Sequence, residues 1–349
     1  MHSCDATGRV RRFSMGYPEG ARCRGEQPYP SDAPVGHGCY VRRMTKLGTT
    51  DLDVHGLCLG GNVFGWSADE RESVAVLDAY AVAGGNFIDT ADTYGGGASE
   101  SIIGHWAAAR GNRDALVIAT KVAKKADRPG LSVANIRLAA EESLARLGTD
   151  RIDLYYAHAD DPSVPLEETL GAFDALVREG KVRYIAASNY TAPRLSEALA
   201  VAEREGFAAY AALQNHYNLL ERAEYEAGVA LLLAETGLPS LPYFSLARGF
   251  LAGKYRPGVE VESVRAAGAG KYRTQHGYAV LGALDEIAAA HGVSVAAVSL
   301  AWLAGRPMVA APIASARTTE QLADLLPFVD LKLSADETAV LDKVSAPRA

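Results

Sequence analysis

The chain has 349 residues, 48% hydrophobic and 22% charged, which is enough apolar side chain for one large core or two small ones and excludes disorder throughout. Its formal charge of −7, with basic residues only in scattered stretches, provides no footprint for a polyanion, so nucleic acid is not an expected partner.

Residues 1–43 hold seven arginines against four acids, a net +3 that leaves −10 for the remainder. Rich in Gly, Pro, Arg and Ser and without an apolar period, they are expected to form a disordered or loosely attached N-terminal extension, and they lack the apolar stretch of a secretory signal. Cys4, Cys23, Cys39 and Cys58 form no CxxC pair and no even spacing, so neither a disulfide framework nor a zinc site is expected, and a reducing cytoplasm fits best. No run of about 18 apolar residues suggests a membrane span.

The folded domain is expected over 44–349. From Met44 the segment MTKLGTTDLDVHGLCLGG reads as a short β-hairpin around Gly48 followed by an apolar strand. Thereafter short β-type runs alternate with amphipathic helical runs, the rhythm of a parallel sheet. Candidate strands are 56–60, 86–90, 115–120, 152–157, 182–187, 210–214, 239–244 and 308–313. Between them, 133–147 places Val133, Ile136, Ala140, Leu144 and Leu147 at helical spacings and ends at Gly148, a natural C-terminal cap. Eight such units favour an α/β fold of the closed (β/α)8 TIM barrel type, with an N-terminal β-hairpin, over a doubly wound open sheet. Gly60, Gly61 and Gly65 do not fit G-x-G-x-x-G, and Tyr255 and Tyr272 stand where a phosphate loop needs Ser or Thr. Any nucleotide must be held by other means.

Barrel enzymes carry their chemistry at the carboxyl ends of strands, and those ends are unusually polar here. Asp89 ends the second, with Tyr94 five residues on; Lys121 ends the third and His158 the fourth. Ser188 and Asn189 end the fifth, Gln214 and Tyr217 follow the sixth, and Tyr243 lies on the seventh. Singly, each has an ordinary reading as a solvated strand end, a structural histidine or a loop cap. Jointly, titratable groups of complementary type at one end of three successive strands would converge on one volume, and burying them without a task is costly. A phenol ionises near about 10, so Tyr94 shuttles protons poorly unless a cation stabilises its phenolate. Lys121 would be that cation, kept protonated by Asp89, and His158 offers a ring donor. Lowering Tyr94 a hundredfold in acidity constant needs about 2.7 kcal/mol, within reach of one close cation. Such a site suits protonation of a carbonyl oxygen as charge develops on it.

The segments NFIDTADTYGGGASESIIG, ATK and YYAHADD, in this order, resemble the aldo-keto reductase superfamily, and the similarity runs from about Lys46 to at least Leu325. The resemblance implies a (β/α)8 barrel that reduces an aldehyde or ketone with a nicotinamide cofactor, usually NADPH with NADH as the other choice, reversibly toward alcohol oxidation. It makes Asp89, Tyr94, Lys121 and His158 the catalytic four, with Tyr94 the general acid. Ser188, Asn189 and Gln214 would hold the nicotinamide carboxamide, and the ring would stack on Tyr243. Gly61, Asn62, Val63 and Asp89 would lie along the cofactor; Phe244, Leu246, Arg248, Gly249 and Lys254 would close over the pyrophosphate. Ser315, Arg317, Gln321 and Asp324 would meet the adenosine phosphate, with Arg317 and Arg265 as candidates for a 2′-phosphate. The chain departs from the family pattern at Phe244–Ser245, where Ser-Pro is frequent, at Leu325, often Asn, and at Ala159, often a large aromatic.

Phe64, Trp66, Tyr94, His158, Tyr190 and Tyr217 are candidate walls of a substrate pocket, and 255–277 a candidate lid. Two other readings compete with the reductase. One is a non-catalytic nicotinamide-sensing subunit, since potassium-channel β subunits resemble this family. The other is an aldolase using Lys121 as a Schiff-base nucleophile, which needs a depressed lysine pKa that Asp89 would oppose. Neither the carbonyl substrate nor the oligomeric state is legible.

Overall fold

The computed structural model describes residues 44–261 and 266–347. The expected extension over 1–43, the candidate phosphate ligand Arg265 and part of the candidate lid lie outside the described residues.

Strands β1 (Met44–Lys46) and β2 (Asp53–His55) pair antiparallel as the expected hairpin, with Gly48 supplying a φ of +55° at its turn. β3 (Cys58–Gly60), β4 (Phe87–Asp89) and β5 (Val117–Val122) follow, then a two-rung hairpin of β6 (Lys124–Lys125) and β7 (Arg128–Pro129). β8 (Ile152–Ala157), β9 (Val182–Ser188), β10 (Tyr210–Gln214) and β11 (Ile313–Ala314) complete the strands. Seven of these form one curled parallel sheet in the order β10-β9-β8-β5-β4-β3-β11.

The seventh predicted strand, 239–244, is reduced to single bridges. Pro239 and Pro242 have no N–H to donate to a ladder. Their carbonyls still accept from Leu213 (2.9 Å) and Ile313 (2.9 Å), and Ser240 donates to Met308 (2.6 Å) and accepts from Ala310 (2.9 Å). The segment thus lies between β10 and the approach to β11, which itself shortens to two residues after Pro312.

Helices α1 (Glu70–Val82), α2 (Ala98–Arg110), α3 (Val133–Leu147), α4 (Leu166–Arg178) and α5 (Ala192–Glu205) each link successive sheet strands. Their starts follow local chemistry: Asp69 and Glu72 form a reciprocal capping box on α1, Ser132 caps α3 and Thr191 caps α5. α3 spans the predicted residues and ends at Gly148 in the left-handed region. Where α2 meets α3, a Cβ on Gly104 would stand 2.5 Å from the Leu147 carbonyl oxygen, so only glycine allows that approach. The later helices are α6 (Ala230–Thr236), α7 (Ala266–Gly270), α8 (Gln275–His291), α9 (Val295–Ala304), α10 (Thr319–Leu325) and α11 (Ala335–Val344). α9 is apolar all round because it is buried all round, from Ala296 to Leu303. No single helix among the described residues is long and apolar enough to cross a membrane.

The pleat sorts the strand residues into two apolar layers. One lies between sheet and helices and includes Leu59, Ile88, Ile118 and Tyr155. The other fills the concave face with Cys58, Phe87, Val117, Ala119, Leu154, Tyr156, Ala186 and Ala212, closed at the strands' amino ends by Leu47, Leu52 and Val54 of the hairpin. Asn86 fastens that hairpin, accepting from the His55 amide (2.9 Å) and donating to the Asp53 carbonyl (2.8 Å). Counting onward in twos from the inward apolar residues gives Asp89, Lys121, His158, Ser188 and Gln214 as the last inward positions of parallel strands, all at one end.

Candidate active site

The carboxyl ends of the strands open into a cleft of about 510 Å³. At its base Lys121 and Asp89 are buried as a charge pair, Nζ to Oδ2 2.7 Å. The ammonium's other two donors reach the Thr90 carbonyl (2.6 Å) and the Tyr94 hydroxyl oxygen (3.4 Å). Because Tyr94 accepts there, its own hydrogen is left to point into the cleft, which Tyr94 lines. The Lys121 Nζ also sits 4.8 Å from the Tyr94 ring centre.

The charges behave partly as expected. Burial alone would depress Lys121, but Asp89 and then Tyr94 outweigh it and hold the ammonium above the usual lysine range. This disfavours Lys121 as a Schiff-base nucleophile. The expected acidification of Tyr94 is not found: burial pushes the phenol up, and Lys121 only partly offsets burial and Asp89. Burial, then Lys121 and Lys124, push His158 down to about 2, so the imidazole is neutral, with one donor nitrogen and one acceptor. Its ring meets Tyr94 edge-on, centres 6.2 Å apart, and its buried Nδ1 has no hydrogen-bond partner among the described residues.

Gln214 donates to the second Asp89 oxygen (2.9 Å), which leaves its carbonyl as an acceptor on the cleft. Asn189, with φ +62°, donates to the His158 carbonyl (2.8 Å) and to Ser188 Oγ (2.9 Å), and accepts from the Tyr243 hydroxyl (2.7 Å). Its amide is therefore engaged within the protein, whereas the Ser188 hydroxyl hydrogen remains available. One donor at Ser188 and one acceptor at Gln214 match the complementary halves of a carboxamide. Tyr243 is backed on one face by His216, stacked at 5.4 Å and 14°, while the residue also lines the cleft, as a ring-stacking platform must.

Beyond Tyr243 the chain turns through left-handed residues at Phe244, Ala247, Arg248 and Gly249. Ser245 pins the turn by donating to the Pro242 (3.0 Å) and Ile313 (2.9 Å) carbonyls, and the Arg248 guanidinium lies 4.0 Å over the Phe244 ring. Leu246, Gly249 and Lys254 line the cleft here, opposite Ser315, Arg317, Gln321 and Asp324. Ser315 donates to Asn62 (2.6 Å), and Gln321 accepts from the Arg317 amide (3.0 Å). Three cations against one carboxylate suit an anionic ligand, and the polar set along the cleft fits a nicotinamide dinucleotide. Among the described residues no group of His, Cys, Asp and Glu could hold a metal.

Some predicted positions are elsewhere. Gly61 is packed against Ser99 and Asp89 behind the cleft, although its neighbours Asn62 and Val63 line it. The pocket-wall reading of Phe64, Tyr190 and Tyr217 is corrected by their burial in the apolar layer beside the helices. Tyr190 bonds Tyr210 (3.1 Å), and Tyr217 stacks on Tyr225 at 4.0 Å and donates to Glu226 (2.8 Å). Trp66 is 59% exposed and does not line the cleft. Within the candidate lid, Lys271 and Tyr272 both bind Glu221. Lys124, Ser294 and Ala296 line the cleft without having been singled out in the sequence.

A second pair of carboxylates lies behind Tyr94. Glu100 accepts from Thr120 (2.6 Å) and Arg146 (2.6 Å), whereas the Asp92 Oδ1 is buried with no hydrogen-bond partner among the described residues. Burial and then Glu100 push Asp92 up to about 6 from 3.8. Between those values the folded chain holds a proton that the unfolded chain has lost, so this carboxyl makes stability fall as pH rises through the window. Asp92→Asn is therefore expected to raise unfolding stability by about 1–3 kcal/mol at neutral pH and by little near pH ~4. Urea titrations at the two pH values decide it; equal gains at both would refute the cause.

The chain matches the model of the aldo/keto reductase family over residues 56–346. It is 36% identical over 315 residues to an uncharacterized oxidoreductase, YrpG, of Bacillus subtilis, covering 86% of this chain and 95% of that one. It is 34% identical over 335 residues to protein tas of Escherichia coli, covering 86% and 96%. To norsolorinic acid reductase stcV of Emericella nidulans it is 33% identical over 326 residues, covering 88% and 82%. An α/β chain with this site and this match is an NAD(P)H-dependent oxidoreductase acting on carbonyl or CH–OH groups. It belongs to the aldo/keto reductase family.

Proposed function

We propose that this protein is an NADPH-dependent reductase that converts an aldehyde or ketone to an alcohol, and that residues 44–349 form a closed (β/α)8 barrel. The barrel reading rests on the hydrogen bonds that seat 239–243 between β10 and β11. The catalytic reading rests on one observation above others: a cleft-lining phenol that accepts from a buried, carboxylate-paired ammonium and so keeps its own hydrogen for a ligand.

The nicotinamide cofactor would supply the hydride that reaches the carbonyl carbon. Ser188 and Gln214 fix the carboxamide, Tyr243 provides a stacking face, and Arg248, Lys254 and Arg317 receive phosphates. His158, neutral, donates to or orients the carbonyl oxygen. Tyr94 gives that oxygen its proton as negative charge develops there, and the Lys121 ammonium stabilises the phenolate left behind. The high affinity of Tyr94 for its proton keeps the acid loaded at neutral pH. The reverse sequence oxidises an alcohol.

Absorbance loss of NADPH, and separately NADH, with a panel of aldehydes and ketones tests the reading. Carbonyl-dependent consumption, faster with NADPH, is the expected result. Tight NADPH binding without turnover of any carbonyl would overturn it in favour of a nicotinamide-sensing subunit.

A further inference from the structure

One cation on the cleft wall has no part in the steps above. Lys124 follows β5, whose inward positions run Val117, Ala119, Lys121. Strict alternation would turn Val122 toward the helices, Ala123 inward and Lys124 outward again. Instead Val122 and Ala123 both pack in the helix-side layer. Ala123 holds φ +113°, a value rare outside glycine, and its carbonyl is fastened by the Gly130 amide at 2.9 Å. The break in the pleat brings Lys124 onto the wall shared with Tyr94 and His158.

Its neighbours have counter-ions and it does not. Lys125 and Arg128 both pair with Glu142, at 3.2 and 2.7 Å, and Arg146 pairs with Glu100 at 2.6 Å. Among the described residues Lys124 has no acidic partner. Lys124 is exposed at the rim of the cleft; partial loss of water around its ammonium, then the field of Lys121, hold it below the usual lysine range, and Lys124 in turn disfavours a charge on His158. Lys121 is already balanced by Asp89, so at this end of the cleft the Lys124 ammonium has solvent and no carboxylate among the described residues to balance it. A neutral carbonyl compound leaves it so. A substrate with a negative group beyond its carbonyl supplies the missing counter-charge, as a charge-assisted hydrogen bond in a partly desolvated cleft.

We propose that Lys124 is a specificity-determining residue that selects carbonyl substrates bearing an anionic group, a carboxylate or a phosphate, held at the rim while the carbonyl reaches Tyr94. The proposal rests on the carbonyl-reductase reading.

The test compares kcat/KM with NADPH for 4-carboxybenzaldehyde, 4-formylphenyl phosphate and the uncharged methyl 4-formylbenzoate. Wild type is expected to favour a charged aldehyde over the ester by about tenfold, mostly through KM, with the advantage shrinking as salt rises. Which of the two anions gains more separates carboxylate from phosphate as the selected group. In Lys124→Gln the ratio of charged to uncharged falls toward one; in Lys124→Arg most of it is kept. A wild-type ratio near or below one, or a ratio unchanged in Lys124→Gln, overturns the proposal. Turnover of the methyl ester shows in the same assay that the reductase reading stands when the selectivity claim fails. Consumption of none of the three aldehydes overturns both.

Discussion

Tyr94→Phe is expected to lower kcat by about 10²–10⁴-fold while leaving the affinity for NADPH within about twofold. The phenol hydroxyl keeps its proton for a ligand beside the neutral His158, because its oxygen already accepts from Lys121. Phenylalanine keeps the ring, its edge-on contact with His158 and its position over the ammonium, so packing changes little. What is lost is the proton donor for the developing alkoxide. Steady-state kinetics with a reducible aldehyde, together with quenching of protein fluorescence by NADPH, separates the two effects. A kcat within tenfold of wild type would refute Tyr94 as the acid. The upward push on Tyr94 and the low value for His158 also fix the pH behaviour of the reduction. Neither group titrates near neutrality, so kcat should be flat through the physiological range and fall only in alkali, when Tyr94 loses its proton.

Lys121→Met is expected to abolish turnover and to cost about 3–5 kcal/mol of unfolding stability, an effect on the scale of a small domain's whole margin. Methionine fills the space of the lysine stem but leaves Asp89, buried at the base of the cleft, with Gln214 as its remaining side-chain partner. The penalty is that of an uncompensated carboxylate rather than of the lost attraction itself. Asp89→Asn added to Lys121→Met removes that charge and should recover much of the stability without recovering activity. Urea titrations of the single and double variants read the first quantity and NADPH consumption the second. A double variant as unstable as the single would show that packing, and not charge, is what the pair supplies.

Three of the four proposed catalytic residues, Asp89, Lys121 and His158, are legible in the sequence because the pleat makes them so, whereas Tyr94 lies beyond its strand in a turn. Phe87 and Asp89, Val117 and Lys121, Leu154 and His158 share faces by counting in twos, and parallel strands bring their ends together. Four things were not legible, each for a different reason. Pro239 and Pro242 interrupt an apolar run that reads as a strand, because hydrophobic pattern does not report missing N–H donors. Phe64, Tyr190 and Tyr217 sit near the right places in the chain, but an aromatic in a loop carries no period to say which layer it joins. The sign at Tyr94 depended on opposing effects, its removal from water and the cation beside it, and only geometry ranks them. Lys124 was hidden by the left-handed Ala123, which reverses the count that found Lys121 three residues earlier.

The plug formed by Leu47, Leu52 and Val54 bears on access as well as packing. With the amino end of the concave face stoppered among the described residues, the carboxyl-end cleft is the side from which a ligand can approach Asp89 and Tyr94. Substitutions in the plug are therefore expected to change stability and to leave the approach of ligands untouched.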